Sequence, residues 1–149
     1  MATKPGAEPP KRSVRVRWLG GYRTETDIRG VHLLPGDETP QYGGEDTGPM
    51  PTEMLLAAVG TCMCLSVVHL ANKRRISVGE VTLVTSARRD DQAFRFKSIQ
   101  VVVYADLPQD QLEPLVNLAR RYCFVSNTLA EGCPVDVTAQ STYLLDDLE

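Results

Sequence analysis

Apolar and polar residues alternate at the beginning of the chain. Over residues 14–18, three large apolar side chains alternate with two arginines, and this period of two predicts a half-buried strand. Glycine-containing turns flank residues 22–28, and residues 31–34 can form a third short strand. The N-terminal third is therefore expected to fold as a small antiparallel meander.

The same alternation returns twice later in the chain. Residues 81–87 and 94–104 predict two strands joined by the polar connection 88–92, and residues 135–145 predict a final strand. The strands come in hairpin groups and not in regular alternation with helices. The pattern therefore predicts an α+β fold with largely antiparallel sheet.

A long apolar helix is predicted between these strand groups. The acidic, Pro- and Gly-rich segment 35–51 is expected to be a loop that is either functional or disordered. Thr52 is the predicted N-cap, and Glu53 lies in the first turn, where the helix dipole favours a carboxylate. The helix is expected to end near Asn72.

The apolar part of this helix requires a test for membrane insertion. Residues 54–71 carry no formal charge, which touches the lower limit for a spanning helix. The segment also contains glycine, threonine, serine and histidine, which favours a helix buried on all sides inside a globular protein. Such a helix needs cover all round, and this predicts a partner subunit.

A second helix is predicted over residues 107–122, with Asp106 as its cap. Its apolar stripe has the helical period and consists of Leu112, Leu115, Val116, Ala119 and Cys123. Pro114 lies within the helix, removes a backbone donor and is expected to kink or shorten it.

Composition and charge limit the classes of function. The chain has 149 residues, of which 42% are hydrophobic and 23% charged, as expected for one globular domain over residues 13–149 after a disordered tail, residues 1–12. A net charge of −3 gives no reason to expect nucleic acid or an acidic membrane as a partner. No apolar signal core opens the chain, so we expect a cytoplasmic protein with reduced cysteines.

Four cysteines are the main candidates for chemistry. Cys62 and Cys64 lie two positions apart in the long helix and point about 200° away from each other, so they cannot form a disulfide there. Cys123 can face Cys62 if the two helices pack together, which would make a redox pair. A cysteine on an apolar face is also often an inert small hydrophobe. Cys64 and Cys133 are interpreted as structural.

Neither a metal site nor a cofactor is predicted. There is no Cys-x-x-Cys motif, and the histidines are His32 and His69. The glycine motifs of phosphate-binding and dinucleotide-binding loops are also missing from the sequence. His69 lies in the apolar helix and is interpreted as a packed core histidine, which argues against Cys–His acyl transfer.

A thiolate in the middle of a helix gains little from the helix dipole, and it therefore needs a cationic neighbour. Arginine suits this role because it stays charged when partly buried. The candidates are Arg15, Arg17, Arg23 and Arg29. Arg15 and Arg17 fit the solvent face of the first strand, whereas Arg23 follows a glycine turn that can fold over a site.

Two segments resemble a known family. The segment GGEDTGPMPTEMLLAAVGTC, residues 43–62, resembles the entry loop and central helix of OsmC/Ohr proteins. The segment ARRYCFVSNTLAEG, residues 119–132, resembles the second-cysteine region of that family. The order of strands and helices also agrees across almost the whole chain, and the closer match is to the OsmC-like branch.

The resemblance implies antiparallel sheets around a long central helix in an intertwined homodimer. It also implies a peroxidase that reduces organic hydroperoxides and, more weakly, hydrogen peroxide. Cys62 resembles the peroxidatic cysteine and Cys123 the resolving one, and the disulfide between them would be reduced by a dithiol such as a lipoylated protein. Glu53 resembles the family's carboxylate and Arg23 its thiolate-stabilising arginine.

This chain departs from the better-known branches of the family in two respects. Glu53 precedes Cys62 by nine positions, one fewer than in those branches, and Cys64 is an additional thiol beside the site. Two other functions stay open. One is a non-enzymatic dimer that binds a small apolar ligand, and the other is a thiol sensor whose oxidation changes partner binding without turnover.

Overall fold

The structure is a computed structural model that describes residues 11–141. Most of the predicted tail and the end of the predicted last strand lie outside these described residues. In chain order the elements are β1 (Arg15–Gly20), β2 (Arg23–Ile28), β3 (His32–Gly36), a short 3-10 helix (Pro40–Tyr42), α1 (Pro51–Arg74), β4 (Val81–Arg89), β5 (Phe96–Ala105), α2 (Gln109–Arg120) and α3 (Phe124–Glu131). This order confirms the predicted α+β class.

The first three strands form the predicted meander. They make one antiparallel sheet in the order β1-β2-β3, in which Arg15 pairs with Asp27 and Ile28 pairs with His32. The prediction of a half-buried β1 is wrong for the single chain, because Val16 is 60% and Trp18 71% exposed. The described chain leaves the apolar face of this strand uncovered.

Strands β4 and β5 form the predicted hairpin and pair in a two-stranded sheet. The backbone N–H of Asp90 donates to the carbonyl of Arg95 at 3.0 Å, which closes the connection between them. The predicted final strand is wrong over residues 135–141, which have no regular secondary structure. The sheets of residues 11–141 consist of β1-β2-β3 and β4-β5 and do not include this segment.

Helix α1 begins with Pro51, a residue suited to the first helical position because its missing N–H would have no partner there. Thr52 therefore lies inside the first turn and is not the predicted N-cap. The helix is long and apolar enough to cross a membrane by length and composition, and 33% of its most apolar 18-residue window is buried. Leu65 and His69 are exposed, so a helix buried on all sides and a packed His69 are both wrong for the single chain.

Helix α2 starts after Pro108, and Asp106 is therefore not its cap. The predicted stripe is confirmed by the four of its residues that are buried: Leu112, Leu115, Ala119 and Cys123. Pro114 lies inside the helix, which ends at Arg120. Helix α3 follows after three residues, although no sequence pattern predicted it, and it ends at Glu131, with Gly132 in the left-handed conformation as its C-cap.

The chain divides into two compact units. The first comprises the chain up to Gly60 together with Val84–Val102, and the second comprises Thr61–Leu83 and the chain from Val103 onward. The second unit contains the C-terminal part of α1 and the buried stripe of α2. A single domain over residues 13–149 stays a prediction.

Candidate functional site

Cys62 lies in the middle of α1 and is half-buried. One turn later, the Ser66 hydroxyl donates to the Cys62 carbonyl at 2.9 Å. Ser66 is only 8% exposed, so this back-bond to the helix satisfies a buried hydroxyl. The serine beside the candidate nucleophile is therefore held by the backbone.

Cys123 is fully buried, with 0% of its surface exposed. The sequence placed it at the end of the second helix, but α2 has already ended and Cys123 is the N-cap of α3. Its carbonyl accepts from the Asn127 N–H at 3.0 Å, the first bond of α3. Its Sγ lies 2.9 Å from the Oγ of Ser126.

Both candidate redox cysteines belong to the second compact unit, and all four cysteines are free thiols. Cys64 is half-buried beside the site. Cys133 is exposed, and its thiol donates to the Pro134 carbonyl at 3.6 Å. Its structural role stays a prediction.

Glu53 caps the start of α1. Its Oε2 accepts from the Met50 N–H at 2.9 Å, which is the half of a capping box in which the N3 carboxylate reaches back to the N-cap. The prediction that Glu53 lies in the first turn is confirmed. At 1.5 Å per residue, nine residues separate it from Cys62 by about 13 Å along the helix axis.

Arg23 opens β2 directly after a turn in which Gly20 and Gly21 both have positive φ. Its Nη1 lies 3.7 Å from the Oε2 of Glu45, and both side chains are largely exposed. Glu45 belongs to the loop between β3 and α1. Among residues 11–141, Arg23 thus pairs with a loop carboxylate, while Glu53 is engaged by the helix start.

The other arginines considered as partners of the thiolate lie on β1 and in the turn after β2. Arg17 pairs with Glu25 across β1 and β2 at 2.8 Å, which confirms the predicted solvent face. Arg15 is exposed on the same strand. Arg29 has a φ of 63° and lies in the turn after β2.

Asp37 is a buried residue that the sequence analysis missed. It is 2% exposed, and its carboxylate accepts from the N–H groups of Glu38, Glu45 and Thr47 and from the Thr47 hydroxyl. These donors, the Thr47 N–H above all, lower the pKa of Asp37 from 3.8 to about 2 against the opposing effect of burial. The sequence showed an aspartate near the start of a long acidic loop. Nothing in the pattern distinguished Asp37 from the other acidic residues of that loop.

The loop anchored by Asp37 also contacts the turn that immediately precedes Arg23. A Cβ on Gly43 would lie 3.1 Å from the ring of Tyr22, and Gly43 has a φ of 88°. Only glycine fits both the conformation and the close approach. The predicted long loop is therefore an ordered segment with its own polar anchor.

Potential metal ligands are dispersed. In the chain between residues 11 and 141, no three His, Cys, Asp or Glu side chains are grouped closely enough to hold a metal ion. The candidate site residues Cys62, Cys123, Glu53 and Arg23 provide two thiols, a carboxylate and a guanidinium group.

Comparison with known proteins identifies relatives over most of the chain. The sequence model of the family described as OsmC-like protein matches residues 43–138. The protein YhfA of Escherichia coli strain K12 is 30% identical over 123 residues, which cover 79% of this chain and 89% of that protein.

Solved structures agree with this fold. The organic hydroperoxide resistance protein OhrB of Bacillus subtilis is 26% identical, with a TM-score of 0.58 over 85% of this chain and 95% of that one. An OsmC-like protein from Mycoplasma pneumoniae has a TM-score of 0.71 at 14% identity, over 85% of this chain and 91% of that one. The latter likeness concerns the fold alone.

Proposed function

Because this chain belongs to the OsmC-like protein family, we propose that it is a thiol-dependent peroxidase that reduces organic hydroperoxides and, more weakly, hydrogen peroxide. The main support is that Cys62 and Cys123 belong to one compact unit although they are distant in sequence. The similarity to a protein named for organic hydroperoxide resistance adds to this support.

The proposed reaction has three steps. The Cys62 thiolate attacks the distal oxygen of ROOH, the O–O bond breaks, and the departing alkoxide takes a proton to leave as an alcohol. The Cys123 thiol then attacks the sulfur of the Cys62 sulfenic acid, forming the disulfide and releasing water. A dithiol, such as a lipoylated protein by analogy with the family, restores both thiols by exchange.

Arg23 is proposed to stabilise the Cys62 thiolate, and Glu53 to orient the arginine by a charge-assisted hydrogen bond. The observed pair between Arg23 and Glu45 is long and exposed. Such a pair contributes about 1 kcal/mol at most. It is therefore too weak to prevent the guanidinium from changing partner.

We further propose that two chains form a homodimer in the cytoplasm. Exposed apolar side chains support a dimer, because Trp18 is 71% and Leu65 64% exposed, and such surfaces commonly mark interfaces. Light scattering should give twice the mass of one chain. Leu65→Glu should yield monomers, whereas Asn117→Glu, at an exposed polar position on α2, should leave the dimer intact.

The activity is tested with single cysteine variants. Cys62→Ser should abolish consumption of cumene hydroperoxide in the presence of dihydrolipoamide, while Cys64→Ser and Cys133→Ser retain it. Mass spectrometry of the oxidised wild type should find the Cys62–Cys123 disulfide. Unchanged turnover by Cys62→Ser would refute the proposal, and a wild type that consumes about one equivalent and stops would indicate a sensor.

A further inference from the structure

Ser126 is a residue that the proposed reaction has not yet used. Its Oγ lies 2.9 Å from the Sγ of Cys123, and either atom can be the donor. The thiol is fully buried. In the part of the chain that the structure describes, no other hydrogen-bond partner of this sulfur is found.

The position of Ser126 differs from that of two other helical hydroxyl groups. Ser66 donates to the Cys62 carbonyl at 2.9 Å, and Thr128 donates to the Phe124 carbonyl at 2.9 Å. Both make the usual bond to the carbonyl four residues earlier. Ser126 instead directs its hydroxyl to a sulfur atom three residues earlier.

The start of α3 explains this contact. Cys123 is the N-cap and Ser126 occupies the N3 position, and side chains at these two positions lie close enough to interact. The sulfur makes no capping hydrogen bond to the backbone of the helix. Within residues 11–141, the polar contact of this sulfur is therefore the one to Ser126.

The geometry points to Ser126 as the residue that activates Cys123 for attack on the sulfur of Cys62. This inference rests on the proposed function for its place in the reaction. At rest the hydroxyl accepts from the thiol, and when the thiol loses its proton the hydroxyl rotates and donates to the sulfur. The S–S bond forms as the S–O bond of the sulfenic acid breaks, and the proton from Cys123 ends on the departing hydroxide to give water.

The experiment compares Ser126→Ala, Ser126→Thr and Thr128→Ala with the wild type, all as full-length chains. Thr128→Ala is the matched control, because it removes a hydroxyl of the same helix that does not contact the sulfur. Each protein receives cumene hydroperoxide in one series and diamide in another. Diamide joins two thiols without a sulfenic acid, so that series does not depend on peroxidase activity.

We expect Ser126→Ala to slow formation of the Cys62–Cys123 disulfide by about tenfold with either oxidant, as for loss of one hydrogen bond to an ionised group. With peroxide, the fraction of Cys62 that becomes sulfinic acid should rise, while the initial loss of the Cys62 thiol stays within about twofold of the wild type. Ser126→Thr should restore the rate, and Thr128→Ala should match the wild type.

Four results would overturn the inference: a wild-type rate for Ser126→Ala, an equal loss for Thr128→Ala, no rescue by threonine, or no Cys62–Cys123 disulfide with either oxidant. If diamide joins the two cysteines and peroxide does not, the peroxidase proposal fails. The diamide rates of the variants then decide the role of Ser126 separately.

Discussion

Asp37 and Cys123 are both removed from solvent, with 2% and 0% of their surfaces exposed, but their surroundings differ. The Asp37 carboxylate accepts four hydrogen bonds from three residues. Every one favours the charged form, and the pKa falls to about 2. Among the described residues, the Cys123 sulfur has one hydrogen-bonding neighbour, the Ser126 hydroxyl, which can donate or accept.

The difference separates a structural group from one that we propose to be reactive. A buried group that is saturated by fixed backbone donors has one stable protonation state and holds the loop in place. A buried thiol beside one rotating hydroxyl keeps sulfur lone pairs with which it can form a new bond. The number and adaptability of the partners, more than burial, distinguish the two sites.

Among variants of these two buried residues and their partners, the largest effect is expected from Cys123→Ser. Loss of the resolving thiol should slow turnover of cumene hydroperoxide with dihydrolipoamide by at least about tenfold and cause sulfinic acid to accumulate on Cys62. Peroxide assays and mass spectrometry measure both. Cys133→Ser, at an exposed position, is the control. Full turnover by Cys123→Ser would contradict the proposed role of Cys123 as the resolving cysteine.

Asp37→Asn should lower the melting temperature by about 5 °C, because the amide nitrogen cannot accept the backbone donors that the carboxylate satisfies. Circular dichroism measures the change. Asp46→Asn removes a charge from the same loop at a φ of 57°, a conformation that asparagine tolerates, and should melt near the wild type. Equal melting of all three proteins would contradict the structural role of Asp37.

Acidification should reveal how much the Asp37 carboxylate contributes to the stability of the fold. Its folded pKa of about 2 lies below the ordinary 3.8, so its contribution to stability is complete above about pH 4 and is lost as the pH falls through about 2. Urea unfolding between pH 2 and pH 5 should show this loss in Asp46→Asn but not in Asp37→Asn. Parallel pH profiles for the two variants would show that Asp37 makes no such contribution.

The smallest effect is expected from Thr47→Val, which removes one of the four donors and keeps the backbone N–H. The melting temperature should fall by about 2 °C. Thr39→Val is the matched control, because Thr39 makes no side-chain capping bond to the short 3-10 helix. A loss as large as that of Asp37→Asn would mean that the hydroxyl, and not the backbone, dominates the anchor.

The sequence alone was sufficient for most elements whose residues show a clear period, although the alternation over residues 135–141 did not produce a strand. The alternation in β1, the hairpin of β4 and β5 and the stripe ending at Cys123 are local patterns, and the structure confirms the elements they predict. The family motifs around Cys62 and Cys123 could also be recognised from the sequence, because the OsmC-like family model covers both. Periodicity and motif spacing are properties of neighbouring residues, so they require no knowledge of the fold.

The tertiary structure alone decided which polar groups meet. The donors around Asp37, the pairing of Arg23 with Glu45 and the contact of Ser126 with Cys123 depend on the path of a loop or on where one helix ends and the next begins. The sequence also failed to predict the exposed faces of β1 and α1, because burial depends on what the rest of the molecule places against a surface. Hydrogen bonds and burial are set by positions in space, and a linear pattern leaves those positions open.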